Sequence, residues 1–471
     1  MTNQPNFKSG TVWVGDNLPV LRGMNSNSVD LVYLDPPFKS DRNYEAPIGS
    51  EAAGAAFKDM WTLDDIDVHE HGELADRNPA AYAVIEAAKH TDGKGMMAYL
   101  IYMAVRLLEL KRLLKKTGSI YLHCDDTAGH YLKLLMDGLF GSAHFKNEIV
   151  WKRTSGKGHN PTRYMRNVDY ILFYAKSEKR TWNQQYLPYK DDHTKNWKND
   201  PLLGKWTPAD LSGGKGGSQS AYEEFNGAFP PAGRAWAPPK RQKFPSIIPI
   251  PENYEIMNPL EKCKTLDTLN MIHWSKSGKP YYKKFKSTLK GIYCSSLIED
   301  IPPVKGKEST NYPTQKPVKL LERIINASSN EGDMVLDPFC GCATSLVAAD
   351  RLQRQWAGID LSPLAVKLVN ERIIKDRGPL WGSVIVPDHP PTRTDLGKLP
   401  NYRTHRHRLY GEQEGICVGC DTHFPFRVME VDHILPRSRG GTDHQDNLQL
   451  LCSGCNKSKG SDTMAEWRAR Q

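Results

Sequence analysis

Two acidic strand ends stand 302 positions apart in this chain, and any fold must account for both. LVYLDPPFKS sets Asp35-Pro36-Pro37-Phe38 straight after an apolar run, and GDMVLDPFCGCATS sets Asp337-Pro338-Phe339 after another. A diproline at a strand end fixes an extended turn whose carbonyls face outward, because each ring locks φ and removes an N–H. The second run continues into a helix, TSLVAADRL, and then a strand, WAGID, that ends in Asp360. Strand, Gly-containing turn, helix and a further strand ending in an acid is doubly wound α/β logic. The turn and helix start can seat a ligand, and the acid can take ribose hydroxyls. The segment has neither G-x-G-x-x-G nor a GK[ST] loop, which argues against a nucleoside triphosphate.

The surrounding periodicity supports an α/β body. Residues 11–38 read as strand, helix, strand (TVWVGDNL, PVLRGM, SVDLVYL). Residues 51–95 are Ala-rich and charged, as surface helices are. His69 and His71 within them have no companions at ligand spacing and read as exposed histidines. A helix over 96–116 should close at Gly118, followed by the strand SIYLHCD, a helix to Gly138 and the strand NEIVW. From 199 to 251 the alternation gives way to GGKGG, FPPAG, APPK and IPIP. The helix SPLAVKLVNERIIK ends the body, and the Pro-rich VPDHPPTRTDLGKLP reads as a linker to a cysteine-rich tail. The expected divisions are 1–150, 151–310, 311–385, a linker at 386–404, and 405–471.

Charge is uneven along the chain. Residues 151–300 carry 25 Lys/Arg against 14 Asp/Glu and six of the eleven tryptophans, while the formal net charge of the whole is +9. Basic residues interleaved with aromatics suit phosphate contact and base stacking, although a solvated basic surface has the same composition. The greasiest stretch, Met96 to Leu114, carries Arg106, Glu109, Lys111 and Arg112, so it reads as an amphipathic helix and not a membrane span. MTNQPNFKSG lacks the apolar core of a secretory signal. Membrane and secreted proteins are therefore not expected.

An Asp oxygen beside an outward carbonyl can accept both hydrogens of an exocyclic amine, and the adjoining aromatic can stack on a planar base. With GDNL at 15–18, DPPF at 35–38, NEIVWKR at 147–153, YPTQKPVKLLERII at 312–325, LDPFCGCATS at 336–345 and GIDLSPLAV at 358–366, the chain resembles a β-class amino-methyltransferase. These S-adenosylmethionine-dependent enzymes methylate adenine N6 or cytosine N4 in DNA. The resemblance implies a Rossmann-like body in circularly permuted motif order, with the basic insert as target-recognition region and double-stranded DNA as partner. It further implies that Asp35 and the carbonyl of Pro36, in the Pro36-Pro37 turn, hold the target amine while Phe38 stacks on the flipped base. Asp337, Phe339, Gly341 and Thr344 would line the methionine end of the cofactor, and Asp360 its ribose. Asp16 would lie near the cofactor adenine, with Thr314 and Lys316 near its carboxylate. Relatives usually have Gly where this chain has Ala343. The leading Asp of DPPF favours adenine. Such enzymes often dimerise, and a homodimer is left open.

In the tail, CVGC and CSGC stand 31 residues apart. In a chain without a signal, Cys417, Cys420, Cys452 and Cys455 suit one tetrahedral Zn²⁺ whose role is structural. Between and beyond them, VDHILPRSRGG, NLQLLC and CNKSKG resemble an HNH nuclease, a ββα-metal finger. That resemblance implies His433 as general base, Asn447 orienting its loop, and Asp432 with Asn456 on a catalytic Mg²⁺ or Mn²⁺. Two readings follow: a DNA methyltransferase fused to an endonuclease of a restriction–modification or phage-defence kind, or a methyltransferase whose zinc tail only binds DNA. Either belongs in the cytoplasm of a bacterial or phage-infected cell.

Overall fold

The structure, a computed structural model, describes residues 4–39, 44–45, 56–57, 74, 78–154, 162, 164–215, 217–310, 312, 314–378, 382–396 and 401–470. It divides into two compact units, Gln185–Cys294 and the remainder of the chain.

The larger unit is built on an eight-stranded sheet. In chain order its strands are β1 (Thr11–Val14), β2 (Val29–Leu34), β3 (Leu114–Cys124), β4 (Phe145–Lys152), β5 (Val168–Ala175), β6 (Leu297–Ile298), β7 (Met334–Asp337) and β8 (Gln355–Asp360). Their spatial order is β1-β8-β7-β2-β3-β5-β4-β6. Neighbours from β1 to β3 run parallel, and β5 is antiparallel to both β3 and β4. Strands covered on both faces need apolar residues on both, and β2 is buried at all six positions. Its alternate residues feed two cores. Val32 and Leu34 join the layer formed with the helices Asn17–Gly23, Lys94–Leu113 and Gly129–Phe140. Leu31 and Tyr33 join the other, formed with Val318–Ser328, Thr344–Arg351 and Leu364–Arg377.

Strand order reverses between β7 and β2: from β7 the chain moves outward to β8, and from β2 it moves the other way to β3. In open α/β sheets, ligands sit beyond the carboxyl ends of the strands at that switch point. Asp337 ends β7 and Asp35 follows β2, so the sheet brings the two motifs to one edge.

Several local expectations need adjustment. The long helix ends at Leu113, not near residue 116, because Leu113 and Leu114 are both fully buried and Leu114 already pairs with Val29 as strand. Gly118 lies inside β3, where a Cβ would approach the Asp30 carbonyl oxygen to 3.1 Å. Within 51–95, Pro79–Thr91 is helical, capped by Asn78, but Ala56–Phe57 pairs with Tyr44–Glu45 as strand; His69 and His71 lie outside the described residues. The unit Gln185–Cys294 is narrower than the 151–310 insert read from sequence, since Val168–Ala175 is a strand of the main sheet. It has its own four-stranded sheet and a core around Trp206, Phe225, Trp236, Tyr254 and Phe285. The tail folds as a hairpin, Met429–His433 with Leu448–Cys452, followed by the helix Ser453–Lys459.

The Pro-rich linker is docked rather than free over residues 391–395. Asn25 exchanges hydrogen bonds with Thr394 (both 2.8 Å), the Asn6 amide donates to the Thr392 carbonyl (2.7 Å), and the Ser26 N–H donates to Asp395 (2.8 Å). Gly23 is obligatory here, because a Cβ would fall 1.9 Å from the Pro391 oxygen. Burial raises the Asp395 carboxyl, but Arg393 and Ser26 outweigh it and hold the group well below the usual carboxylate range. Replacing Asp395 with Ala should free this strap and speed tryptic cleavage at Arg393 in the full-length protein. An unchanged digestion rate would show that the contact does not hold it.

Candidate active site

One pocket opens at the switch point. Asp35, Pro36, Pro37 and Phe38 line it from β2, and Asp337, Phe339, Gly341 and Thr344 from the β7 turn. Asp360, Thr314 and Lys316 complete it. Eleven of the twelve residues expected around base and cofactor thus share a single cavity. Asp16 is the exception. It caps the Asn17–Gly23 helix through the Leu18 N–H (2.7 Å) and is held by Arg106 (2.8 and 2.9 Å), while its neighbours Gly15 and Asn17 line the pocket.

The turn after β7 is shaped by its glycine. Gly341 has φ +48°, and a Cβ there would meet the Tyr312 ring at 3.2 Å. Its N–H donates to Asp360 Oδ2 (2.8 Å), and the Ser362 N–H to Oδ1 (2.9 Å), which ties the turn to the end of β8. Burial raises the Asp360 carboxyl against these two bonds. Ala343 also sits in the left-handed region at φ 60°, immediately before the Thr344–Arg351 helix. Asp337 accepts from the Ser345 hydroxyl and the Phe339 N–H (3.0 Å). Burial above all, with Asp35 and Asp360 adding to it, pushes the Asp337 carboxyl up to about 7 despite those hydrogen bonds.

The Lys316 ammonium donates to Asp35 Oδ2 at 2.6 Å and lies 5.0 Å from the Phe38 ring centre. Behind Phe38, stacked at 5.7 Å and 17°, is the fully buried ring of His123. Neither partner is visible from spacing, because each comes from a distant strand or loop; the HC of LHCD and the TQKP run were the available signals.

In the tail the four cysteine sulfurs lie within 4.8 Å of one another. Backbone N–H groups point at them, Cys452 to Cys417 Sγ (3.1 Å), Gly419 to Cys417 Sγ and Cys455 to Cys452 Sγ (both 3.4 Å). Among the described residues this is the one cluster of His, Cys, Asp and Glu with metal geometry. Asn447 clamps the segment after His433, accepting from the Leu435 N–H (2.8 Å) and donating to the Leu435 and Thr442 carbonyls. His433 Nε2 pairs with Asp443 (2.9 Å), which Arg437 grips. Asp432 is 8% exposed and holds the Lys459 ammonium (3.0 Å) and the Gln449 amide (2.8 Å). Asn456 donates to Glu430 (2.5 Å). The sequence reading did not anticipate Asp443, Lys459 or Glu430.

A family profile described as DNA methylase, of the N6/N4 kind, matches residues 29–371. The chain belongs to this DNA methylase family. A profile described as HNH endonuclease matches residues 417–462. The type II methyltransferase M.EcaI of Enterobacter cloacae is 30% identical over 379 residues, which cover 78% of this chain and 70% of that one. The Mod subunit of the type III restriction–modification enzyme StyLTI of Salmonella typhimurium is 27% identical over 426 residues, 83% of this chain and 59% of that one. A solved structure of the PvuII DNA methyltransferase (cytosine-N4-specific) is 12% identical, covers 78% of this chain and 88% of that one, and has a TM-score of 0.37. The protein is thus a DNA methyltransferase of the restriction–modification type with a C-terminal HNH endonuclease domain. No helix among the described residues is long and apolar enough to cross a membrane.

The methylase pocket carries a pH signature. The folded protein binds the Asp337 proton more tightly than the unfolded chain, so this group's contribution to stability is full below the usual carboxylate range and is lost as pH rises to about 7. In ligand-free protein, the stability of wild type relative to Asp337→Asn should fall between pH 4 and 7 and then level off. Urea midpoints across that range measure it; parallel curves for the two proteins would contradict the assignment.

Proposed function

We propose that the methylase body transfers a methyl group from S-adenosylmethionine to an exocyclic base amine of double-stranded DNA, adenine N6, and that the HNH domain cuts or nicks DNA. The observation that carries the first half is the shared pocket: the amine-binding turn after β2 and the cofactor turn after β7 meet across a strand pair. Asp leading the DPPF turn favours adenine over cytosine.

The donor set suits the cofactor. Asp360 at a strand end would take ribose hydroxyls, and Asp337, Phe339, Gly341 and Thr344 would surround the methionine end. Bound there, S-adenosylmethionine supplies an electrophilic methyl carbon. The chain's own work is orientation. Asp35 and the Pro36 carbonyl accept the two amine hydrogens, drawing the nitrogen lone pair out of conjugation and aiming it. A carboxylate has two acceptor oxygens, so Lys316 on Oδ2 fixes the Asp35 side chain and leaves acceptor capacity for the amine. Asp35 is also the nearest carboxylate to take the proton the amine releases. Phe38 offers the stacking surface for a base that must leave the duplex.

In the tail, the four thiolates would hold a structural Zn²⁺. His433, with Nε2 committed to Asp443, has Nδ1 left to take a proton from water. An Asp carboxylate and an Asn amide are oxygen donors of the kind Mg²⁺ or Mn²⁺ prefers. Their present partners speak for a second reading, in which the tail only binds DNA: Lys459 already supplies the charge that Asp432 needs.

Both readings are tested on unmethylated plasmid with Mg²⁺ or Mn²⁺, with and without S-adenosylmethionine, scoring strand breaks and mapped methyl-adenine. Asp35→Ala should abolish methylation while cofactor binding survives, and His433→Ala should abolish breaks alone. Methylation without breaks under either metal, on unmodified and premodified DNA alike, would select the binding-only tail. Methylation that survives Asp35→Ala would remove the catalytic assignment, and methyl-cytosine in place of methyl-adenine would overturn the base.

A further inference from the structure

Tyr33, His123 and Asp169 form a polar chain inside the methylase body that the proposed chemistry does not use. Their exposures are 2%, 0% and 1%. Tyr33 Oη lies 2.8 Å from His123 Nδ1, and His123 Nε2 lies 3.2 Å from Asp169 Oδ2. Burial, with Asp35, Asp337 and Asp169 nearby, raises the Tyr33 phenol far above its ordinary value, so it stays protonated beside Nδ1. Asp169, a carboxylate that can only accept, takes the Nε2–H. Burial raises Asp169, but its bond to His123 and the cations Lys316 and Arg153 prevail, and the carboxyl is held below its usual range. Arg153, at the end of β4 and half-exposed, approaches Asp169 Oδ1 to 3.2 Å.

A buried polar network fixes geometry where its members are paired; Asp169 Oδ1 accepts no hydrogen bond and meets Arg153 only as an ion pair, so the hold on the ring runs through Oδ2. Here both ring nitrogens are tied, and Trp151 packs edge-on against the ring at 6.0 Å. The imidazole therefore cannot turn. The one functional side chain resting on its face is Phe38, at 5.7 Å and 17°, within the range of offset aromatic stacking. Phe38 lines the pocket beside Asp35, so the plane of the stacking surface offered to a base is set from behind by His123.

We infer that His123 is a positioning residue for methyl transfer, held by Tyr33 and Asp169 as a rigid floor that orients Phe38 for the target base. The inference rests on the proposed methyl-transfer reading of the pocket. It acts through one intermediary, which makes it separable from a general structural role: residues acting through a common contact have non-additive effects.

The experiment is a double-mutant cycle on the full-length protein, with unmethylated plasmid and tritiated S-adenosylmethionine. His123→Gln, whose longer side chain carries its amide to the place of Nε2, keeps a donor for Asp169 but removes the ring beneath Phe38. It and Phe38→Ala should each lower kcat by about tenfold or more, with cofactor Kd within about twofold of wild type, and the double variant should fall no further than the worse single. Should His123→Gln not fold, Tyr33→Phe, which deletes only the hydroxyl, replaces it in the same cycle. Losses that multiply, or an unchanged kcat in the folded variant, overturn the inference. A wild-type protein that transfers no methyl to DNA removes the underlying reading and the inference with it; an active wild type with multiplying losses removes the inference alone.

Discussion

Where β7 meets β2 only two residue pairs face each other: Val335 lies beside Leu31, and Leu336 beside Val32. So short a parallel pairing across some 300 residues of intervening chain needs something to fix its register. Asp30 does so. Its Oδ2 accepts from the Met334 N–H at 2.9 Å and from the Lys115 ammonium at 2.7 Å, linking the start of β7 to β2 and β3. A one-residue slip would turn every side chain of the strand to the opposite face. It would also carry Asp337 away from Asp35. The reversal of strand order, the pocket at the carboxyl ends and the meeting of DPPF with LDPF all follow from this register.

Much of that was legible in the chain. Alternating apolar runs gave the strands, and Asp-Pro after two of them marked where chemistry would gather, because strand ends and turns have few other uses for buried carboxylates. The Cys-x-x-Cys pairs were legible for a different reason: metal geometry is imposed by local spacing. What could not be read is what depends on partners from distant strands. Lys316 meets Asp35 across 281 positions and His123 meets Asp169 across 46, and no periodicity links either pair. The linker misled for a related reason. Its Pro-rich composition signals an extended path but says nothing of Asn25 and Ser26, whose polar groups dock it.

Ala343 shows how a departure from the family pattern is tolerated. A non-glycine residue in the left-handed region costs roughly 1–2 kcal/mol. The methyl group is fully buried in the layer with Leu346 and Val347, and burying one methyl returns about 0.8 kcal/mol. The burial offsets a large part of the backbone cost, so glycine is not compulsory at this position. At Gly341 there is no such balance, because a methyl there would press on Tyr312 instead of filling space.

Both candidate sites pair a buried lysine with the acid expected to act: Lys316, 6% exposed, on Asp35, and Lys459, 1% exposed, on Asp432. A carboxylate removed from water needs a counter-charge, and a lysine from a neighbouring element provides one without any ligand. The consequence differs with what each site must admit. An amine on a base is neutral and donates hydrogen bonds, so it can share the Asp35 carboxylate with the ammonium already there. A divalent cation proposed at Asp432 would bring charge that repels the Lys459 ammonium, and that group would have to give way first. On the proposed reading, the pairing that suits Asp35 to a neutral amine would make metal binding at Asp432 contingent on a movement of Lys459.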